Sequence, residues 1–115
     1  MTCLSSTSKP IDVRALELAQ QWREAVERDN AEGIYDEARS EQKGYCAGEL
    51  EALVSSRAGN PDLPDLVELI TQLAAEWRWE PVGNDLRAQG KEEQMRICAS
   101  ELEEAILCRQ IIRNR

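Results

Sequence analysis

The side chains best suited to chemistry in this sequence are carboxylates. Asp36-Glu37, Glu49 with Glu51, Glu92-Glu93, and Glu101 with Glu103 and Glu104 carry hard oxygen donors. Such clusters could ligate a divalent cation or offer a phosphate-like surface to a nucleic-acid-binding protein, and a solvated helix exterior is the simpler reading of the same residues. Completing a catalytic centre is harder. The chain holds no His, which removes Ser-His-Asp and Cys-His catalysis, imidazole zinc sites and di-metal centres built on Glu-x-x-His. The run Arg28-Asp29-Asn30-Ala31-Glu32-Gly33 glances at a calcium loop, but a Gly33 in sixth place puts Arg28 first and Arg39 twelfth, both cationic. Neither a GxxxxGK nor a GxGxxG phosphate loop occurs, and no base is positioned by sequence beside a Cys, Ser or Lys. The expectation is no enzyme, no catalytic residue, no metal and no cofactor.

Trp77-Arg78-Trp79-Glu80-Pro81 is the other unusual stretch. Two Trp separated by one residue on a helix point about 200° apart, so they cannot both enter one core. Trp79 is then either an exposed anchor for a partner, as Trp and Arg often are, or a lid folded over the following turn. With the acidic clusters this nominates Trp79, Arg78, Glu92, Glu93, Glu101 and Glu104 for partner binding. Arg109, Arg113 and Arg115 put a basic end on the chain around Ile111-Ile112, which suits either a helix C-terminus or an oligomer contact.

These residues are carried on amphipathic helices. Residues 1–9 read as a flexible Ser/Thr-rich tail, and residues 10–115 as a single all-helical domain. The first helix begins near Pro10, with Asp12 as its cap, and repeats Leu16, Ala19, Trp22 and Val26. A second, about 34–56, carries Ile34, Ala38, Tyr45, Cys46, Leu50, Leu53 and Val54 on one broad face, weakened locally by Gly44 and Gly48. Pro61 and Pro64 break the chain. A third helix, capped by Asp65, holds the most hydrophobic stripe, Leu66, Val67, Leu69, Ile70, Leu73, Ala74 and Trp77, and should be the most buried. The fourth, about 85–114, has Leu86, Met95, Cys98, Leu102, Ala105, Ile106 and Ile112 on one side and a break or kink at Gly90. Nothing alternates with period two, so the fold class is all-α.

The helices also repeat. Leu18-Ala19-Gln20-Gln21-Trp22-Arg23 matches Leu73-Ala74-Ala75-Glu76-Trp77-Arg78 at an offset of 55, and the Glu41 to Glu51 run, ending Cys46-Ala47-Gly48-Glu49-Leu50-Glu51, matches the Glu93 to Glu103 run, ending Cys98-Ala99-Ser100-Glu101-Leu102-Glu103, at an offset of 52. The three-residue difference falls in the loop between paired helices. Each half, 1–57 and 58–115, carries a net charge of −4. The architecture this implies is two tandem αα-hairpins, repeats 10–57 and 65–115, packed about a pseudo-two-fold axis into a bundle. Trp22 and Trp77 become equivalent anchors, Cys46 and Cys98 approach one another across the axis, and Arg23 and Arg78 pair with Glu on the partner helix.

Gly90-Lys91-Glu92-Glu93-Gln94-Met95-Arg96-Ile97-Cys98-Ala99-Ser100-Glu101-Leu102-Glu103, with its echo at 44–51, resembles the helical ending of many small acidic phage and prophage proteins. The resemblance implies a genomic setting in which such proteins inhibit host enzymes or defence systems, as anti-CRISPR proteins do. It brings no site residues with it.

At 115 residues, with 22 acidic and 14 basic side chains and a formal charge of −8, the chain is one domain and disfavours unassisted binding to nucleic acid. It shows no membrane span and no signal-peptide pattern, and its scattered Cys3, Cys46, Cys98 and Cys108 read as reduced thiols, which together point to the cytoplasm. The leading expectation is a non-enzymatic interaction protein that binds and inhibits or redirects a protein target, such as a nucleic-acid enzyme or defence complex. The alternatives are an oligomer binding an anionic small molecule through Arg23, Arg78 or Arg96, and a component that self-associates through Trp79 and Ile111.

Overall fold

The computed structural model describes residues 10–81 and 83–107. They form α1 (Ile11–Arg28), α2 (Gly33–Gly59), α3 (Leu66–Trp79) and α4 (Leu86–Leu102), the last running into a π-helical turn at Glu103–Leu107. The all-α fold of two tandem hairpins is what the chain adopts, α1 packing on α2 and α3 on α4. No helix among the described residues is long and apolar enough to cross a membrane. The tail 1–9, Cys3, Cys108 and the basic end with Ile111-Ile112 lie outside the described residues.

Helix starts follow local chemistry, with one correction. Asp85 caps α4, its carboxylate accepting from the Ala88 N–H at 2.8 Å. Asp12 does not cap α1. The helix starts at Ile11, after Pro10, two residues earlier than a cap at Asp12 would have it, so Asp12 lies inside the first turn and accepts from the Val13 N–H at 2.9 Å. Asp65 stands at the start of α3 without a capping bond from its side chain. Gly33 opens α2 at φ +86°, a left-handed conformation that glycine adopts without strain.

The two units superimpose in burial as well as in sequence. Ala15, Leu18, Ala19 and Trp22 of α1 are buried, as are Ile70, Leu73, Ala74 and Trp77 of α3, each pair 55 residues apart. In α2 the buried row is Ala38, Gln42, Cys46 and Leu50, and in α4 it is Gly90, Gln94, Cys98 and Leu102, each pair 52 apart. A spacing of four lays each row along one ridge of its helix. The broadest contact in the molecule is between these two helices. Gly90 lies against Tyr35 and Ala38, and Cys98 reaches Cys46, so contacts advance in the same direction along both helices. The pseudo-two-fold axis therefore runs along a parallel α2–α4 pair, with α1 and α3 packed outside it.

This arrangement overturns the expectation that the third helix is the most deeply buried. Burial follows closeness of approach, and the small Ala, Gly and Cys side chains of α2 and α4 let their backbones come together where the larger side chains of α3 cannot. Gly90 is accordingly no break or kink: α4 runs straight through it, and a Cβ there would sit 2.6 Å from the Tyr35 carbonyl oxygen. Gly44 and Gly48 likewise leave α2 continuous. Leu16, Ile34, Tyr45 and Leu86, read from the sequence as core, are exposed. Leu16 and Tyr45 each neighbour a small residue, Ala15 and Cys46, that occupies the packed ridge, and one residue along turns a helical side chain by about 100°.

Two kinds of polar contact bind the units. Between them, the Trp22 indole N–H donates to Glu101 at 2.8 Å and the Trp77 N–H to Glu49 at 3.2 Å, while the rings meet edge-on at 5.8 Å. Within each, Arg23 binds Glu51 and Arg78 binds Glu103. The Arg23 guanidinium, donating from Nε at 3.0 Å, holds the Glu51 carboxyl below its ordinary range. That pair thus supports the fold above the ordinary carboxyl range and stops doing so as pH falls through the lowered value, a small effect for side chains this exposed.

Cys46 and Cys98 are fully buried, and Gln42 and Gln94 donate to their respective sulfurs at 3.7 and 3.4 Å. The hydrogen bond with Cys98, reinforced by burial, pushes the Cys46 thiol up. Native protein treated with a maleimide at neutral pH should leave the peptide containing Cys46 unmodified, and urea should expose it. Rapid labelling of Cys46 without denaturant would contradict this packing.

Candidate partner-binding groove around Trp79

α3 ends at Trp79, and the repeat dictates which of its two Trp residues faces inward. Trp77 takes the place that Trp22 holds in the first unit, so Trp79 is turned out and stays 77% exposed. It is no lid. Trp79 lines an open groove of about 470 Å³ with Glu49 of α2, Glu76 of α3, Glu80 and Pro81, and the buried Trp77 forms part of the floor. Three carboxylates thus surround an exposed indole. Glu49 is held in place because it accepts the Trp77 N–H, and Glu76 precedes Trp79 by three residues and shares its side of the helix.

The residues nominated from sequence do not form one surface. Arg78, adjacent to Trp79, is engaged by Glu103 of the π-helical turn. Glu101 accepts from Trp22, which places it at the other unit's equivalent of the groove. Glu92 pairs with Arg96 on the same helix, Glu93 is exposed, and both lie about 15 Å of helix rise before the Arg78 contact. Glu104 is exposed on the π-helical turn. Glu49, Glu76 and Glu80 were missed as groove residues. The repeat contained the signal for Glu49, because it is the counterpart of Glu101, and pseudo-symmetry that sends Trp22 to Glu101 must send Trp77 to Glu49.

The first unit has no indole at the equivalent position. Glu24 occupies the position of Trp79 and accepts a hydrogen bond from Gln20 at 3.3 Å. The acidic clusters do not converge: among the described residues no group of three or more Cys, Asp or Glu side chains is arranged to hold a metal ion.

Fold and groove together define a duplicated helical-hairpin domain with one exposed indole set among carboxylates. Comparison of the chain with protein-family models, with curated proteins and with solved structures gave no match.

Proposed function

We propose that this domain is a non-enzymatic interaction protein that captures a Lys- or Arg-bearing segment of a protein target in the Trp79 groove, and thereby inhibits or redirects that target. The observation that carries the reading is a 77% exposed Trp ringed by Glu49, Glu76 and Glu80 in only one of two otherwise matched units. An indole face attracts a guanidinium or ammonium group, and adjacent carboxylates complete its hydrogen bonds. A net charge of −8 steers basic surfaces toward the domain. A nucleic-acid-binding protein, whose own groove is basic, has the complementary chemistry, and a phage setting in which such enzymes are inhibited accords with the resemblance of the helical ending.

The reading based on Arg23, Arg78 and Arg96 as anion ligands is less well supported. Each is already bound to a carboxylate, Glu51, Glu103 and Glu92 respectively, which an anion would have to displace.

Titration with an Arg-rich peptide, followed by tryptophan fluorescence, tests the proposal. Binding should weaken at least tenfold in Trp79→Ala and in Glu76→Gln/Glu80→Gln, and should weaken further as salt is raised from 0.05 to about 0.5 M, where the screening length falls well below 10 Å. Binding that is indifferent to Trp79→Ala would overturn it.

A further inference from the structure

Two cysteines meet on the pseudo-two-fold axis. Cys46 of α2 and Cys98 of α4 stand at equivalent positions of the two units, both are completely buried, and their sulfurs are in hydrogen-bond contact. Both are free thiols. Each sulfur is also held from its own helix, because Gln42 and Gln94, one turn earlier, donate amide N–H groups to Cys46 and Cys98 at 3.7 and 3.4 Å.

The backbones behind the sulfurs suit a covalent bond. α2 and α4 run parallel, so side chains at equivalent positions project toward one another from the same height, as facing residues of a parallel helix pair do. Their neighbours Ala47 and Ala99 are small and fully buried, and two turns earlier the helices come so close that a Cβ on Gly90 would lie 2.6 Å from the Tyr35 carbonyl oxygen. A disulfide needs converging Cβ bonds and Cα atoms no more than about 7 Å apart. Sulfurs that already touch meet the first condition, and a seam of Ala, Gly and Cys brings the backbones to the closeness the second asks.

We infer that Cys46 and Cys98 are a redox-active pair, which closes to a disulfide across the pseudo-two-fold axis by exchange with a low-molecular-weight disulfide such as oxidised glutathione and reopens in excess thiol. The step balances as two exchanges. One Cys thiolate attacks a sulfur of the glutathione disulfide and expels a glutathione thiolate, and the other Cys thiolate then attacks the protein sulfur of the mixed disulfide and expels the second. The two Cys protons pass to the two released thiolates, so the protein dithiol gives up two electrons and the glutathione disulfide takes them. The reagent is too large for the closed seam. Exchange therefore occurs when the halves part, and the product is kept when they close.

The link encloses a loop of about 50 residues that holds α3, the Trp79 groove and the connection between the halves. A cross-link over so long a loop stabilises chiefly by restricting the unfolded chain. Whatever factor it adds to folding, folding adds to it. In a reducing medium packing alone joins the halves, and in an oxidising one they are fastened. The pair does not depend on what the groove binds.

The full chain with Cys3→Ser and Cys108→Ser, which leaves Cys46 and Cys98 as its only thiols, tests the inference. Refolded from urea into buffers of stepped thiol-to-disulfide glutathione ratio, acid-quenched and weighed intact, it should lose two hydrogens and retain no glutathione. The equilibrium constant for the link should be at least tenfold larger under folding conditions than in concentrated urea. The oxidised chain should unfold at higher urea than the reduced one, dithiothreitol should abolish the difference, and urea should no longer open Cys46 to maleimide. If circular dichroism shows the serine variant unfolded, peptide mapping of the unsubstituted oxidised chain decides the matter, and a map without the bond between Cys46 and Cys98 overturns the inference. An equilibrium constant no larger in the folded state, a stable mixed disulfide with glutathione, or an oxidised chain less stable than the reduced one would likewise overturn it and leave two inert core thiols.

Discussion

Trp22→Ala and Trp77→Ala should each lower stability by about 3–5 kcal/mol, read from urea unfolding followed by far-UV circular dichroism. That is a large share of the roughly 5–15 kcal/mol that holds a domain of this size together. The magnitude has two sources. Each indole fills the space between its own hairpin and the opposite unit, so truncation leaves a cavity that the rigid α2–α4 pair cannot close. Each also stands edge-on to the other at 5.8 Å, and an aromatic pair in this geometry contributes about 0.5–1.5 kcal/mol beyond burial. The two truncations should therefore be non-additive, the double variant losing less than the sum by about that amount. Trp22→Phe, which keeps a ring and gives up the bond to Glu101, should retain most of the stability because Glu101 is exposed to water. Equal and additive losses with no coupling would mean that the indoles do not meet.

The second large effect sits at Gly90. Helix propensity alone says that Gly90→Ala should gain about 1 kcal/mol. The structure reverses the sign. The added Cβ would lie 2.6 Å from the Tyr35 carbonyl oxygen and 3.2 Å from the Ala38 Cβ, and a backbone carbonyl cannot swing aside as a flexible side chain can. The α2–α4 seam must open, and overpacking of this kind costs about 1–3 kcal/mol. Gly90→Ala should thus be destabilising in urea or thermal unfolding. Gly44→Ala is the internal control, because a Cβ there meets nothing within 4 Å and the substitution should raise stability by roughly 0.5–1 kcal/mol. Exchanging the seam residues, Gly90→Ala with Ala38→Gly, should rescue only in part, since the clash with Tyr35 remains.

Particular residues show what the sequence could and could not reveal. The duplication was legible because Trp and Cys are rare and recur in the same order, and from it came the hairpins, the equivalent Trp anchors, the Arg23 and Arg78 pairs and the meeting of the two Cys. The central helices were misjudged for a physical reason. A seam of Ala, Gly, Cys and Gln is weakly hydrophobic, so a hydropathy pattern ranks it below Leu66–Trp79, although closeness of backbone approach buries it completely. Tyr45 was misplaced because the packed ridge passes through its neighbour Cys46, and Ile34 because it lies in the first turn of α2, before the first buried residue of that ridge, Ala38. Helical geometry admits only one of Trp77 and Trp79 to the core and the repeat names Trp77, which left Trp79 as either an exposed anchor or a lid; Glu76 shares its side of the same helix, whereas Glu49 is brought to it by packing between units. Gln94 stood in the repeat only as a match to Gln42.

The covalent link at residues 60–65 has a consequence for how the two halves can change. Separate copies of one hairpin would have to meet in solution before Trp22 found its aromatic partner, and every substitution would appear twice, once in each copy. Joining them replaces that encounter with an effective concentration on the order of millimolar, independent of how much protein is present. It also ends the obligation to match. One half can then carry Trp79 where the other keeps Glu24, and Lys43 where the other keeps Met95, while the shared seam continues to hold both.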